Sequence, residues 1–436
     1  MKILKQNSIM VLLVTTLVVT SCELDGGESL NGASTSSISD DLSRGELPQA
    51  MSGVLSDMRV GLATHTDVQS IFGREYYYFT SSDPRFEGDV VVGNLDNNTF
   101  YTTTPWGARY AAIKDINLIL EGLANTTADF STAEIAATKG VLNTLKAYEL
   151  LMLSDNQDDN GIRIDVADPD NLGDFVDRSA ALTQISEMLS TAATDLSAGG
   201  TTTLPFNLTS GYEGFDTPID FLKFNKAIHA RVETYRGNAA TVLTLLSDSF
   251  LDLSPDNLNN GVYHTFSLSG ADLANPLFIA PNQEANVRVA HSSFIADAES
   301  GDTRLEKVLL RTTPREASGL VGSYDVALYS SNIDNIPVIR NEELILLYAE
   351  ANITSSPAAA VSALDIVREA AGLLPYTGAT TPDALEDELL KQRRYSLFGE
   401  AHRWVDMRRF GRLAELPNDR VTDNVPSAVP VPANEN

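Results

Sequence analysis

Past residue 45 the apolar positions recur with a helical period. Ala111 to Leu123 places Ile113, Ile116, Leu120 and Leu123 on one stripe. Similar stripes predict helices over 134–153, 181–196, 221–235, 239–251, 342–353, 358–371 and 383–398. Gly237-Asn238 and Ser355-Ser356-Pro357 separate neighbouring stripes by a few residues, a spacing that makes antiparallel helical hairpins. Ala358-Ala359-Ala360 lets the second helix of one hairpin approach its partner closely. Hairpins in series suggest tetratricopeptide-like units, without a clean repeat of ~34 residues. Over about 67–107, 200–218 and 255–337 the period fades into Gly, Pro, Asn and clustered aromatics, predicting long surface loops or short strands. The expected fold is mostly α: one helical domain over 41–436 with long irregular loops and minor strands.

Composition narrows the function. The 436 residues are 43% hydrophobic and 21% charged, as in ordinary globular proteins, and 59 acids against 31 Lys and Arg give a net charge of −28. That balance excludes a nucleic-acid partner, which needs a basic footprint, and a peripheral grip on anionic lipid. One cysteine forbids an internal disulfide and a Cys-based zinc cluster.

That cysteine sits in a telling place. Lys2 and Lys5 precede an apolar run from Ile9 to Val19, too short to span a bilayer, and then Thr20-Ser21-Cys22. Val19-Thr20-Ser21-Cys22 resembles the bacterial lipobox, which implies a signal peptide over 1–21 and a lipidated Cys22. Residues 22–40, rich in Gly, Ser, Asp and Glu, read as a flexible acidic tether spanning roughly 25 Å. Glu23-Leu24-Asp25 loosely resembles the surface-export signal of Bacteroidetes-type lipoproteins.

The last hundred residues carry a family likeness. Arg340, the Glu342–Leu347 run and Tyr348-Ala-Glu-Ala351 are followed by Ala363-Leu-Asp-Ile-Val-Arg368. Then come Gln392-Arg393-Arg394, Gly399-Glu400-Ala401-His402-Arg403-Trp404-Val405-Asp406-Met407-Arg408-Arg409-Phe410-Gly411 and Pro430-Val431-Pro432. This order resembles the SusD/RagB family of outer-membrane nutrient-binding lipoproteins. Gln392, Ala401 and Phe410 depart from the family's usual Glu, Gly and Trp. Trp106-x-x-x-Tyr110-x-x-Ile113-x-x-x-Asn117 resembles the family's first-hairpin motif. The resemblance implies a SusD-like scaffold on the cell exterior that captures an oligosaccharide or similar nutrient. It also implies a partner, a SusC-like TonB-dependent transporter, with the membrane contacted through the lipid anchor only. A surface glycoside hydrolase and a helical assembly scaffold without a small ligand are the rival readings.

Glu400, Arg403, Asp406 and Arg409 recur at three-residue steps, and their spacing reads as ion pairs tying the last helix to the core rather than as an acid–base pair. Sugar capture needs aromatic faces and convergent polar groups. The densest such segments are 74–79 and 97–101, and the resemblance implies ligand contacts just ahead of the first-hairpin motif. Arg74, Tyr77, Asn98 and Tyr101 are therefore the expected ligand contacts, with Trp106 in the core. Phe206–Phe215, with Tyr212, and Tyr324–Tyr329 are weaker aromatic candidates. Asn156–Gly161 begins like a calcium loop, but its twelfth position is Ala167, so a solvated hairpin loop is expected. The five histidines show no ligand spacing and read as surface or helix residues; no metal or cofactor is expected.

Overall fold

The computed structural model describes residues 35–270 and 272–435. The signal segment and Cys22 lie outside the described residues. In chain order the elements are α1 (Thr35–Asp40), α2 (Leu47–Asp57), α3 (Leu62–Phe72), β1 (Tyr76–Thr80), α4 (Phe100–Asn125), α5 (Thr132–Gln157), β2 (Ile162–Arg163), β3 (Phe175–Val176), α6 (Arg178–Gly199), α7 (Pro218–Tyr235) and α8 (Ala239–Ser247). There follow β4 (Gly261–His264), β5 (Asn286–Ala290), α9 (Ser292–Ala296), β6 (Val308–Ala317), β7 (Leu320–Val326), β8 (Ile336–Arg340), α10 (Asn341–Asn352), α11 (Pro357–Ala370), α12 (Pro382–Ser396) and α13 (Arg403–Arg409).

The helical hairpins form where the apolar period predicts them. From α4 to α8 each helix packs on the next, and α10, α11 and α12 form a second stack. Ser131 and Glu134 cap α5 reciprocally, each side chain accepting from the other's backbone N–H. Gly140 and Gly199 set the α5–α6 spacing: a Cβ on Gly140 would fall 2.6 Å from Leu196, and one on Gly199 would fall 2.7 Å from Ala137. A larger residue at either position would drive the hairpin apart.

Three predicted boundaries need correction. Residues 35–40, read as the end of the tether, are helical, and Ile38 packs on α4 where Gly122 leaves room for its carbonyl. Within 67–107, read as loop or short strand, lie most of α3, all of β1 and the first turns of α4. Propensity hides that start of α4, because Pro105 removes a backbone donor and Gly107 adds chain entropy. Burial of Tyr101, Pro105 and Trp106 overrides it. The stripe at 239–251 ends as helix at Ser247.

The 255–337 segment supplies most of the strands. A four-stranded sheet runs β1-β5-β7-β6, with β1 antiparallel to β5 from Tyr76 opposite Ala290 to Thr80 opposite Asn286. Separately, β4 pairs with β8, with a bulge at Val262–Tyr263. Gly261 is required there, since a Cβ would meet the Ile339 carbonyl at 2.3 Å. The main core joins α2 and α4–α8, a second lies between α3, the sheet and Trp404, and a third holds α10–α12 together. No helix among the described residues is long and apolar enough to cross a membrane.

Candidate functional site

Three of the four expected ligand contacts serve the fold. Arg74 is fully buried and donates to the carbonyls of Pro417 (2.9 Å), Ile71 (3.1 Å), Val91 (3.0 Å) and Asn424 (3.1 Å), and to Asn418 Oδ1 (3.1 Å). Its guanidinium staples the C-terminal loop onto α3 and the segment before α4. Tyr77 is buried and donates to Asp419 Oδ2 at 2.6 Å. Tyr101 is buried too; its hydroxyl donates to Asp89 at 3.0 Å and accepts from Asp96 N–H at 2.9 Å. None of the three offers a face to a sugar. Asn98 alone is exposed, its N–H donating to Asp96 Oδ1 at 2.7 Å. In β1 only Tyr78 is half-buried, and its ring lies against Phe86 with the Arg288 guanidinium 4.6 Å from its centroid. Phe206, Tyr212 and Phe215 are core residues.

None of the five histidines is a surface residue: all are buried, and His65 and His229 lie in helices as expected. His65 hydrogen-bonds Gln69 and Asn156, and burial, with Arg109 nearby, pushes its pKa down to about 3, so it stays neutral. Asn156, the first residue of the calcium-like run, thus points inward. Asp155 pairs with Arg178 at 2.8 Å, and Asp158 with Arg408 at 3.1 Å, so these carboxylates are spent on arginines. No cluster of potential metal ligands occurs among the described residues.

The C-terminal constellation is scaffolding. Asp406 accepts from Arg393 at 2.7 Å and from Arg409 at 3.0 Å, and Arg409 reaches Glu350 on α10. Burial alone would raise the Asp406 carboxyl, but the two arginines outweigh it and hold its pKa below the ordinary value. Glu400 is tied to Arg340, 60 residues earlier, at 2.7 Å.

That last pair opens onto a groove. A cleft of about 450 Å³, within the range of small-molecule sites, runs between the β4–β8 pair, the 3₁₀ turn Thr303–Lys307 and the loop 327–335. Tyr263 and Tyr329 supply aromatic surface; Asn259 and Asn335 stand exposed at its rim; Glu342, Glu400, Arg340 and Lys307 lie in its wall. The loop carrying Tyr329 is pinned by Asp334, which accepts from Ser330 N–H at 2.6 Å and from the Ser331 hydroxyl at 2.5 Å, and by Asn275, which donates to the Asp334 carbonyl at 2.7 Å. The Tyr329 hydroxyl makes no hydrogen bond among the described residues and lines the groove. Lys307 donates to the Tyr395 (2.8 Å) and Ser396 (2.5 Å) carbonyls, leaving one proton for a ligand. Burial, reinforced by Arg340, pushes the Lys307 pKa down to about 8. Burial would raise Glu342, but Arg340 and Lys307 outweigh it and keep the carboxylate ionised. Acceptors and amphoteric groups thus line an aromatic cleft, a chemistry suited to a polyhydroxylated ligand. The segment Tyr324–Tyr329 carries the only signal of this groove that the linear sequence offers, because its other walls come from four distant segments.

Comparison with known proteins agrees with this architecture. Residues 326–427, which hold the groove's loop and the ion-pair network, match the SusD family model. SusD-like protein P38 of Formosa agariphila is 30% identical over 131 residues, 28% of this chain, and the match spans about a quarter (26%) of that protein's length. A solved SusD superfamily protein from Bacteroides vulgatus superposes with TM-score 0.66 at 18% identity, covering 90% of this chain and 96% of that one. A laminarin-binding SusD-like protein superposes with TM-score 0.60 at 18% identity (87% and 95% covered). Surface glycan-binding protein A of Bacteroides thetaiotaomicron, solved with laminarihexaose, gives 0.63 at 14% identity (86% and 91% covered). The C-terminal signature segment thus matches the SusD family model, and the scaffold around it has the fold of solved SusD superfamily proteins.

Proposed function

We propose that this protein captures an oligosaccharide in the groove between Tyr263, Tyr329 and Glu400 and delivers it to a TonB-dependent outer-membrane transporter. A lipid on Cys22 would hold it at the cell exterior. The observation that carries the binding site is the pinned loop that presents an unpartnered Tyr329 hydroxyl to a polar cleft of oligosaccharide size. The laminarin-binding relatives support a glucan as the first ligand to try. The groove's ion pairs support capture over turnover: Glu342 and Glu400 both grip Arg340, so both carboxylates are engaged in holding the wall.

The test is calorimetric titration with a panel of oligosaccharides that includes laminarihexaose, followed by chromatography of the incubated ligand. Reversible binding lost in Tyr329→Ala and no released product are expected. Binding that survives in Tyr329→Ala moves the site elsewhere, and steady product release replaces capture with catalysis. Mass spectrometry of protein from native membranes checks the anchor: an unmodified Cys22 thiol refutes it.

A further inference from the structure

On a different face, the first half of α4, the loop 166–172 and the C-terminal residues Pro432–Glu435 enclose a pocket of about 300 Å³ that the groove does not reach. Its floor is aromatic and aliphatic. Trp106 lies 4.8 Å from Tyr110 and 6.0 Å from Phe175, ring centroid to centroid, and Val166 and Leu172 complete the apolar wall. The Tyr110 hydroxyl bonds both the N–H and the carbonyl of Arg163 at 2.9 Å, which locks the β2 side of the pocket in place.

Three features indicate an occupant. Trp106 is only 4% exposed, yet its indole N–H has no partner among the described residues and lines the pocket. Arg163 Nε is buried and also unpartnered. Gly107 sits in mid-helix, where glycine is unfavourable, although a Cβ there would meet nothing within 4 Å. The residue therefore serves no packing need; its effect is to keep the pocket mouth clear. The buried orphan groups are both donors, and Lys114 stands exposed at the rim. Glu435 on the opposite rim is the single acid among the lining residues. A ligand that matches this set has a compact apolar body and an anionic acceptor. A sugar does not match it, since the wall is largely apolar and offers few acceptors for a sugar's hydroxyl groups.

We infer that this pocket binds a small aryl carboxylate, its ring against Val166, Leu172 and the open edges of Trp106 and Tyr110 and its carboxylate toward the Trp106 indole N–H and Lys114. The chain has two tryptophans, and Trp404 donates its indole N–H to the Pro426 carbonyl at 2.8 Å. The indole region of a 1H–15N spectrum therefore holds two resonances, which Trp106→Phe assigns. Titration with 4-hydroxybenzoate is expected to move the Trp106 resonance saturably and leave that of Trp404 in place. Gly107→Leu, which improves helix propensity while filling the mouth, is expected to abolish the shift, and Lys114→Glu to weaken binding at least about fivefold. No Trp106 shift up to about 10 mM overturns the site, as does a shift that persists in Gly107→Leu. Equal affinity for 4-hydroxybenzyl alcohol overturns the carboxylate assignment.

Discussion

Two parts of this molecule carry aromatic and amide side chains and use them in opposite ways. Between Arg74 and Tyr101 the Arg74 guanidinium and the Tyr76, Tyr77 and Tyr101 hydroxyls are spent inside the protein, much of it on the loop 417–424. Around the groove, Tyr329 keeps its hydroxyl free and Asn259 and Asn335 project to solvent, while an internal network fixes the backbone behind them. Aromatic and amide side chains occur in both; what separates a structural clasp from a surface able to bind is whether the polar tips have partners. Substitutions in the first region should therefore cost stability and spare affinity, and those in the second should do the reverse.

The largest effect is expected at Arg74. Arg74→Ala removes five hydrogen bonds and leaves buried carbonyls unpaired, a loss of about 3 kcal/mol or more in urea unfolding. Glycan affinity of the folded protein should be unchanged. A stable Arg74→Ala protein that no longer binds glycan would reverse the comparison.

Its neighbour Glu75 gives a pH signature. Burial raises its carboxyl to about 7, against the lowering influence of the Gly399 N–H and Arg403. The native state then holds a proton that the unfolded chain has released between pH 4.5 and about 7, so this group's contribution falls as pH rises through that window and is flat above it. The shift corresponds to about 3 kcal/mol. Glu75→Gln, which keeps an oxygen for Gly399, should lose that slope and exceed the wild type in stability at pH 8. Parallel stability–pH curves for the two proteins would remove Glu75 from the buried, uncharged set.

A matched pair of hydroxyl deletions sharpens the contrast. Tyr77→Phe breaks the bond to Asp419 and should cost about 1 kcal/mol of stability with affinity intact. Tyr329→Phe should leave stability alone and weaken glycan binding about fivefold, the equivalent of about 1 kcal/mol. Calorimetry and urea unfolding on the same two proteins read both quantities.

These contrasts also mark how far the sequence could be read. The helical hairpins were legible because each carries its own local period, and the Glu400–Arg409 element was legible as ion pairing because charges at such spacing seldom leave one neighbourhood. The start of α4 was not, since Pro105 and Gly107 oppose helix locally and only tertiary burial reverses them. The burial of Arg74, Tyr77 and Tyr101 was hidden for a related reason. Arg74 meets its partners more than 340 residues away, at 417 and 418, so nothing near it in sequence shows that its donors are already taken. The groove draws Tyr263, Lys307, Tyr329 and Glu400 from four separate segments, and of these only the Tyr324–Tyr329 loop stood out as aromatic. Local pattern predicts which residues could bind; the fold decides which are left free to do so.

The smallest effect isolates that last condition. Asn98 and Asn335 are both exposed amides in loops, so neither alanine substitution should change stability by more than about 0.5 kcal/mol. They differ in surroundings. Asn335 stands at the rim of a cleft where Tyr329, Lys307 and Glu400 converge, whereas around Asn98 the nearby Tyr101 is buried and bonded. One lost hydrogen bond at a solvated rim is worth about 0.5 kcal/mol, so Asn335→Ala should weaken glycan binding two- to threefold. Asn98→Ala should leave it unchanged. If Asn98→Ala gives the larger loss, the ligand lies along the mouth of α4, and exposure rather than convergence of free polar groups is what marks the site.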